Sequence, residues 1–186
     1  MKARAMTKSL RYQTLIMATA CAFSLATARA QQGTSFTPPI AHAHLLPTQG
    51  NTVLGTVVFT KVATGLEMHA HVVNLQPLQQ HGFHIHEKGN CKSPDGSSAG
   101  GHYNPEGKAH GALGAEHHAG DLPALQANEL GVADAHLLLT DLNFGIGGAK
   151  DIAGLSLIVH AQADDYKTQP SGNSGARIAC GLIQAL

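Results

Sequence analysis

Four histidines and one aspartate lie close together in the stretch GGHYNPEGKAHGALGAEHHAGD, residues 100–121. Three of the histidines, His102, His110 and His118, are spaced eight residues apart. That spacing fits neither the period of a helix nor the two-residue period of a strand. Imidazole and carboxylate groups are ligands of transition metals. The stretch therefore indicates a loop folded around a cation, with these three histidines and Asp121 as candidate ligands.

Further histidines lie on two predicted strands. In HGFHIHE, residues 81–87, the alternation of a strand puts His84 and His86 on one face and turns Ile85 into the core. His160 ends the apolar stretch LSLIVH. With the loop cluster, the seven donors exceed the four ligands of one tetrahedral site, so we predict two metal ions. The imidazoles suit copper or zinc, and the carboxylate favours zinc.

The first thirty residues resemble a secretory signal peptide (1–30). Residues 1–11 carry four basic and no acidic residues, residues 14–25 are largely apolar, and Ala28-Arg29-Ala30 forms a small-residue cleavage motif. The apolar run is shorter than the roughly 20 residues that a membrane span requires. Five of the 12 basic residues precede the cleavage site, so the mature chain keeps seven basic and 12 acidic residues, a net charge of −5. We therefore predict an exported protein with no membrane segment after signal cleavage and no nucleic-acid partner.

The rest of the chain alternates short apolar stretches with turn residues. Stretches such as TVLGTVVFTK and EMHAHVVNL have the composition of half-buried strands, and none keeps a helical period over three turns. After a loose arm at 31–40 we predict a single domain over 41–186. Its eight strands lie near residues 41–47, 52–62, 67–75, 81–87, 122–127, 132–139, 154–161 and 177–184. Eight strands without helices favour an antiparallel sandwich or barrel, and the long loops 88–121 and 162–176 are expected to be functional.

The mature chain keeps two cysteines, Cys91 and Cys180. In an exported protein an even number of cysteines indicates a disulfide. The alternative, two thiolate metal ligands, is disfavoured because the chain has 13 histidines and the export route is oxidising.

Five segments resemble the signatures of exported bacterial copper–zinc superoxide dismutases, in the same order and spacing: GFHIHEKGNC, GGHYNPEGKAHG, HHAGDLPAL, VHAQADD and GNSGARIACGLI. The resemblance covers residues 41–186. It implies an all-β fold, an eight-stranded antiparallel Greek-key barrel or sandwich with two long functional loops. It implies an enzyme that converts two superoxide anions and two protons to oxygen and hydrogen peroxide, with one copper and one zinc ion per chain. Cys91 and Cys180 match the family disulfide.

The resemblance also assigns ligands position by position. It implies copper binding by His84, His86, His102 and His160, and zinc binding by His102, His110, His118 and Asp121. His102 would bridge the two ions. His118 fits the family spacing to Asp121, and an exchange with its neighbour His117 stays open. Asp164 matches the carboxylate that links a copper histidine to a zinc histidine and orients both rings.

Arg177 matches the arginine that attracts the superoxide anion, and with His102 it forms the predicted catalytic pair. The second long loop carries only Lys167 as a further positive charge. Lys88 and Lys150 are therefore additional candidates for steering the anion.

Two other functions share many of these residues. A secreted barrel that binds copper and zinc without turnover, as a buffer or delivery protein, would typically lack a ligand or the arginine. A copper-only relative would lack the zinc ligands. Because all seven donors and Arg177 are present, the sequence favours the enzyme.

Two histidine pairs remain outside this assignment. His42 and His44 in AHAH, and His69 and His71 in MHAH, each share one face of a predicted strand. Exposed strand residues are the simpler interpretation, and an auxiliary metal site is the alternative, with His136 near the second pair if the Greek-key pairing holds. Bacterial members of the family occur as monomers and dimers, so a homodimer stays open.

Overall fold

The computed structural model describes residue 38 and residues 40–186. The predicted signal peptide and residues 31–37 and 39 of the predicted arm lie outside the described residues. Ile40, the last residue of that arm, donates its backbone N–H to the carbonyl of Phe59 at 2.8 Å, so pairing with the sheet begins there. Over the described part of the chain, no helix has the length and apolar character needed to cross a membrane.

Short strands dominate the regular structure of the described residues. They are β1 (Ala41–Pro47), β2 (Leu54–Val62), β3 (Gly65–Val73), β4 (Gln80–His81), β5 (Phe83–His86), β6 (Leu125–Gln126), β7 (Ala133–Leu139), β8 (Ser156–His160), β9 (Arg177–Leu182) and β10 (Gln184–Ala185). One 3-10 helix covers Ser97–Ala99. Single residues separate β4 from β5 and β9 from β10. The ten strands therefore correspond to the eight predicted strand regions.

The strands form an antiparallel sheet in the order β5-β8-β9-β1-β2-β3-β7, with β10 also paired to β1 and β4 paired to β6. The pairings of β5 with β8 and of β9 with β1 join strands that are far apart in the chain, as in a Greek key. β6, which continues the β5 edge through β4, lies against β7 at the other edge. The sheet therefore curls round towards a barrel, and the predicted all-β fold is confirmed.

Burial along the strands differs between the two sides of the sheet. β1 and β3 bury alternate residues, such as Ala43 and Met68, and expose those between them. Every residue of β5 and β8 is buried. Ile85 and Val159 belong to the hydrophobic core, whereas His84, His86 and His160 face the other way. The outer face of these two strands is therefore covered, and the long loops supply the cover.

The loop from 87 to 124 is attached to β5 by backbone hydrogen bonds. The N–H of Ile85 donates to Gly120 at 2.9 Å, and the carbonyl of Ile85 accepts from Tyr103 at 2.8 Å. A side chain at position 120 would overlap the Ile85 carbonyl, so this close approach requires glycine. A disulfide between Cys91 and Cys180 joins the same loop to β9, which confirms the predicted pairing.

Candidate metal centre

The first group of possible ligands consists of four buried histidines, His84, His86, His102 and His160. β5 contributes two of them on one face, β8 contributes His160, and His102 pairs with His86 through an isolated β-bridge. Their facing nitrogens are His84 Nδ1, His86 Nε2, His102 Nε2 and His160 Nε2. These four buried atoms have no hydrogen-bond partner within the described part of the chain. Four lone pairs without partners in one buried space fit a bound cation.

The second group consists of His102, His110, His118 and Asp121, all in the long loop and all buried. The Oδ1 atom of Asp121 lies 2.8 Å from His102 Nδ1, 3.0 Å from His110 Nδ1 and 3.3 Å from His118 Nδ1. Three imidazoles and one carboxylate make the donor set of a tetrahedral zinc site. Both the positions and the types of these four donors therefore fit a zinc ion.

His102 belongs to both groups. Its Nδ1 faces Asp121 in the second group, and its Nε2 faces the first group. The His102 ring lies 4.0 Å from the His84 ring and 5.5 Å from the His118 ring, centroid to centroid. A single imidazole is therefore placed where its two nitrogens can bind two ions.

Hydrogen bonds on the far side of the other rings select their tautomers. His84 Nε2 lies 2.7 Å from Asp164 Oδ2, and His110 Nε2 lies 2.9 Å from Asp164 Oδ1. His86 Nδ1 faces the carbonyl of Gly100 at 2.9 Å, and His160 Nδ1 faces that of Gly175 at 3.2 Å. Because these oxygens only accept, each ring donates an N–H outwards and turns its lone pair towards the centre.

Burial sets the charge state of the centre. It lowers the pKa of His84, lowers that of His86 further, and lowers the pKa of His160 to about 3. Burial raises the pKa of Asp164, but hydrogen bonds, chiefly from His84, outweigh it and bring the pKa to about 2. At neutral pH these three imidazoles are neutral and the carboxylate is ionised. Those are the protonation states that metal binding requires.

Arg177 lies at the start of β9, directly across from His160 on β8. Its guanidinium donates to the carbonyl of Gly96 at 2.8 Å and to that of Gly100 at 2.6 Å. Gly100 also accepts from His86, so the arginine is joined to the first group through one peptide carbonyl. The half-buried guanidinium lines a surface depression with Thr48 and other residues. A fixed positive charge therefore stands beside the first group.

Other predicted residues belong to neither ligand group. His117 is outside both groups, and its Nδ1 donates to the carbonyl of Ala115 at 2.8 Å. Lys150 lies 3.5 Å from Asp141, and Lys88 is exposed.

Two residues of the second long loop support the centre and escaped the sequence analysis. Gln169 accepts from the N–H of His110 at 2.8 Å and donates to its carbonyl at 2.9 Å. Gly172 has a φ of 65°, and a Cβ atom there would overlap Asp164 and His110. Neither role has a local signature because the partners are far apart in the chain. Gly172 lies in the segment GNSGARIACGLI, whose resemblance to the family assigned no role to this glycine.

Comparison with known proteins gives consistent matches over the described domain. The family profile of copper/zinc superoxide dismutase (SODC) matches residues 53–183. A Cu-Zn superoxide dismutase of Aquifex aeolicus is 38% identical, covering 77% of this chain and 86% of that protein. A superoxide dismutase-like protein of Bacillus subtilis is 42% identical, covering 76% of this chain and 74% of that protein.

Solved structures give the same result. The crystal structure of a superoxide dismutase-like protein from Bacillus subtilis superimposes with a TM-score of 0.69 at 42% identity, covering 76% of this chain and 96% of that one. The clock protein EA4 superimposes with a TM-score of 0.70 at 33% identity, covering 81% of this chain and 97% of that one. With a family profile that spans most of the chain and relatives of this similarity, the chain belongs to the copper/zinc superoxide dismutase family.

Proposed function

We propose that this chain is a superoxide dismutase that binds one copper and one zinc ion. The first histidine group would hold copper and the second group would hold zinc. The observation that carries the proposal is the position of His102, whose two nitrogens face the two groups. A protein that only stores metal has no need of one ligand shared between two ions.

The two groups offer different donor atoms, and each set suits one of the two metals. Four imidazole nitrogens suit copper in both of its oxidation states. Three imidazoles and the carboxylate of Asp121 suit zinc, which has no redox chemistry in proteins. Burial raises the pKa of Asp121, but hydrogen bonds from His102 and from the backbone N–H of His118 and Gly111 outweigh it, so the pKa is lowered overall. The anionic ligand is therefore present at neutral pH in the second group.

Copper, when bound, supplies the one-electron cycling that oxidises one superoxide to oxygen and reduces the next to hydrogen peroxide. The protons come from the solvent, and the chain relays a proton and fixes the geometry. His102 Nε2 is a buried nitrogen at which a proton can be held and passed to the peroxide, while Nδ1 stays beside Asp121. Asp164 would keep His84 and His110 in fixed orientations through both half-reactions.

Arg177 would attract and orient the substrate. The guanidinium keeps its charge throughout the working pH range, and its planar donors fit a small oxyanion. Because two carbonyls of the first long loop hold the guanidinium, it stands in one position beside the first group. Superoxide would therefore meet an oriented positive charge before it reaches the copper ligands.

The test is superoxide dismutation by the disulfide-bonded protein after loading with copper and zinc, with both metals counted in the same sample. Rapid turnover with about one copper and one zinc per chain is the expected result. Full loading of both sites without turnover would contradict the proposal and favour a metal buffer. Sedimentation of the same sample decides between a monomer and the homodimer that the resemblance leaves open.

We also propose that the protein is exported and works in the periplasm after removal of residues 1–30. The support is the order of basic residues, apolar run and Ala28-Arg29-Ala30 motif in the leader. N-terminal sequencing of protein recovered from the periplasmic fraction should begin at Gln31. Recovery of the intact chain from the cytoplasm alone would overturn this proposal.

A further inference from the structure

A second cluster of metal-binding groups lies on the outer face of the sheet, where β3 pairs with β7. His69 stands directly across from His136, and His71 stands directly across from Asp134. The side chains at the intervening positions, such as Ala70, point into the barrel. Three imidazoles and one carboxylate therefore share one exposed patch, hereafter the β3–β7 cluster.

The members of the cluster are in contact with one another. The rings of His69 and His136 stack with centroids 3.9 Å apart and planes inclined by 15°. His71 Nδ1 lies 2.7 Å from Asp134 Oδ1, and His69 Nε2 lies 3.9 Å from the same oxygen. Asp134 is thus placed between two histidines of β3, as Asp121 is placed among the histidines of the metal centre.

We propose that the β3–β7 cluster binds one divalent transition-metal ion of the zinc or copper type. In a tetrahedral site with bonds of about 2.0 to 2.1 Å, neighbouring donor atoms lie roughly 3.3 Å apart. The two distances from Asp134 Oδ1, 2.7 Å and 3.9 Å, bracket that value. His71 and Asp134 are about half exposed, so small side-chain rotations can bring the donors to equal distances. Rotation of His136 out of its stack on His69 would supply the fourth donor.

The charge of the cluster also suits a cation. The hydrogen bond from His71 lowers the pKa of Asp134, so the carboxylate is anionic near neutral pH. Imidazole nitrogens complete the donor set.

The other histidine pair of this face is separated from the cluster. His42 and His44 lie on β1, and the intervening strand β2 places Val58 between His42 and His69. Two strand spacings amount to about 9.5 Å, which is too far for one ion to bind both pairs. Asp134 and His136, rather than the β1 pair, are therefore the partners of His69 and His71.

The cluster is also separate from the metal centre. The side chains of His69, His71 and Asp134 are about half exposed on the outer face of the sheet, whereas all seven residues of the two ligand groups are buried and none of them belongs to β3 or β7. Binding at the cluster therefore leaves dismutation unchanged, and the inference can be tested independently of the proposed enzyme activity.

The experiment is a calorimetric titration of Zn²⁺ into protein whose copper and zinc sites are already filled. We expect one further saturable equivalent of zinc. His71→Asn and Asp134→Asn should each weaken that binding at least tenfold, roughly the lower end of what the loss of a metal-site interaction costs. His44→Asn, an exposed histidine of β1, is the matched control and should bind the further ion as the parent protein does.

Dismutation measured on the same samples should be equal in all four proteins. The inference is overturned if the filled protein takes up no further zinc, or if both substitutions in the cluster leave the uptake intact. It is also overturned if His44→Asn removes the uptake. In those cases the pairs are ordinary cross-strand contacts of an exposed sheet.

Discussion

The Nε2 atom of His84 lies 2.7 Å from the Oδ2 atom of Asp164, and both side chains are fully buried. The other oxygen of Asp164 holds His110 at 2.9 Å. One carboxylate from the second long loop therefore orients one histidine from each group. The two candidate ligand groups are joined twice, by the His102 ring on the inside and by Asp164 on the outside.

Replacement of Asp164 by asparagine tests this outer link. The amide keeps one acceptor oxygen, but its NH₂ group meets an imidazole N–H, so one histidine loses its orienting bond. We expect copper and zinc affinities to fall by about 10- to 100-fold, as measured by competition with chelators. Asp165→Asn is the control, because that exposed carboxylate bonds only within its own loop, to Lys167 and Thr168. Equal affinities in D164N and D165N would refute the role of the link.

The adjacent histidines His117 and His118 form a matched pair. His118 Nδ1 lies 3.3 Å from Asp121 Oδ1, whereas His117 bonds only to the carbonyl of Ala115 among the described residues. We expect His118→Asn to lose zinc and His117→Asn to keep it, as measured by metal analysis after dialysis. Zinc loss in the His117 variant instead would mean that the neighbours exchange roles.

Arg177 is expected to act on the rate of substrate capture. Arg177→Met removes the fixed charge beside the first group, so kcat/KM should fall about tenfold or more at low ionic strength. The dependence of the rate on salt should also flatten, because less of the attraction is left to screen. Lys61→Met is the control, since Lys61 is an exposed residue of β2 and belongs to neither long loop. An unchanged kcat/KM in R177M at equal copper content would show that Arg177 does not contribute to substrate capture.

The disulfide should contribute substantially to stability, because Cys91 and Cys180 are 89 residues apart. Closing a loop of this length restricts the unfolded chain and contributes about 2 to 5 kcal/mol to the free energy of unfolding. We expect the double variant Cys91→Ser, Cys180→Ser to lose that much free energy of unfolding in urea titrations of the metal-free protein. Adding reductant to the parent protein should reproduce the loss. If the urea midpoint stays the same in both the double variant and the reduced parent protein, the disulfide does not stabilise the fold.

The metal-free protein should become less stable in acid. Burial lowers the folded-state pKa of His84 and His86 below 6.5 and that of His160 to about 3, so the unfolded chain binds these protons first. The contribution of these histidines to the free energy of unfolding is fully present above pH 6.5 and is lost as the pH falls towards 3. Each such histidine adds a slope of up to about 1.4 kcal/mol per pH unit. His110, whose pKa is raised by its bond to Asp164 against the effect of burial, opposes the trend.

Urea titrations of the metal-free protein at several pH values between 7.5 and 5 measure this slope. His84→Gln should flatten it, because a neutral side chain takes up no proton. A free energy of unfolding that does not change over this range would contradict the burial of neutral imidazoles.

Much of the fold follows from local patterns. Alternation in AHAHLLP and EMHAHVVNL depends only on which residues face the core, so the strands were predictable within a few residues. The split of 81–87 into β4 and β5 was not predictable, because it depends on β4 pairing with β6 while β5 pairs with β8. Pairing partners far apart in the chain leave no periodic signal.

The sequence by itself determined which candidate metal ligands lie near one another. The H-x-H pair of β5 shares a face because strands alternate, and the ligand spacing in residues 102–121 is a property of one continuous loop. Only the tertiary structure decided the tautomers, because Gly100, Gly175 and Asp164 approach the rings from other segments. It also decided that Asp134 stands across from His71. Residue types are encoded locally, whereas the acceptors and neighbours that give a side chain its role come together only when the strands pair.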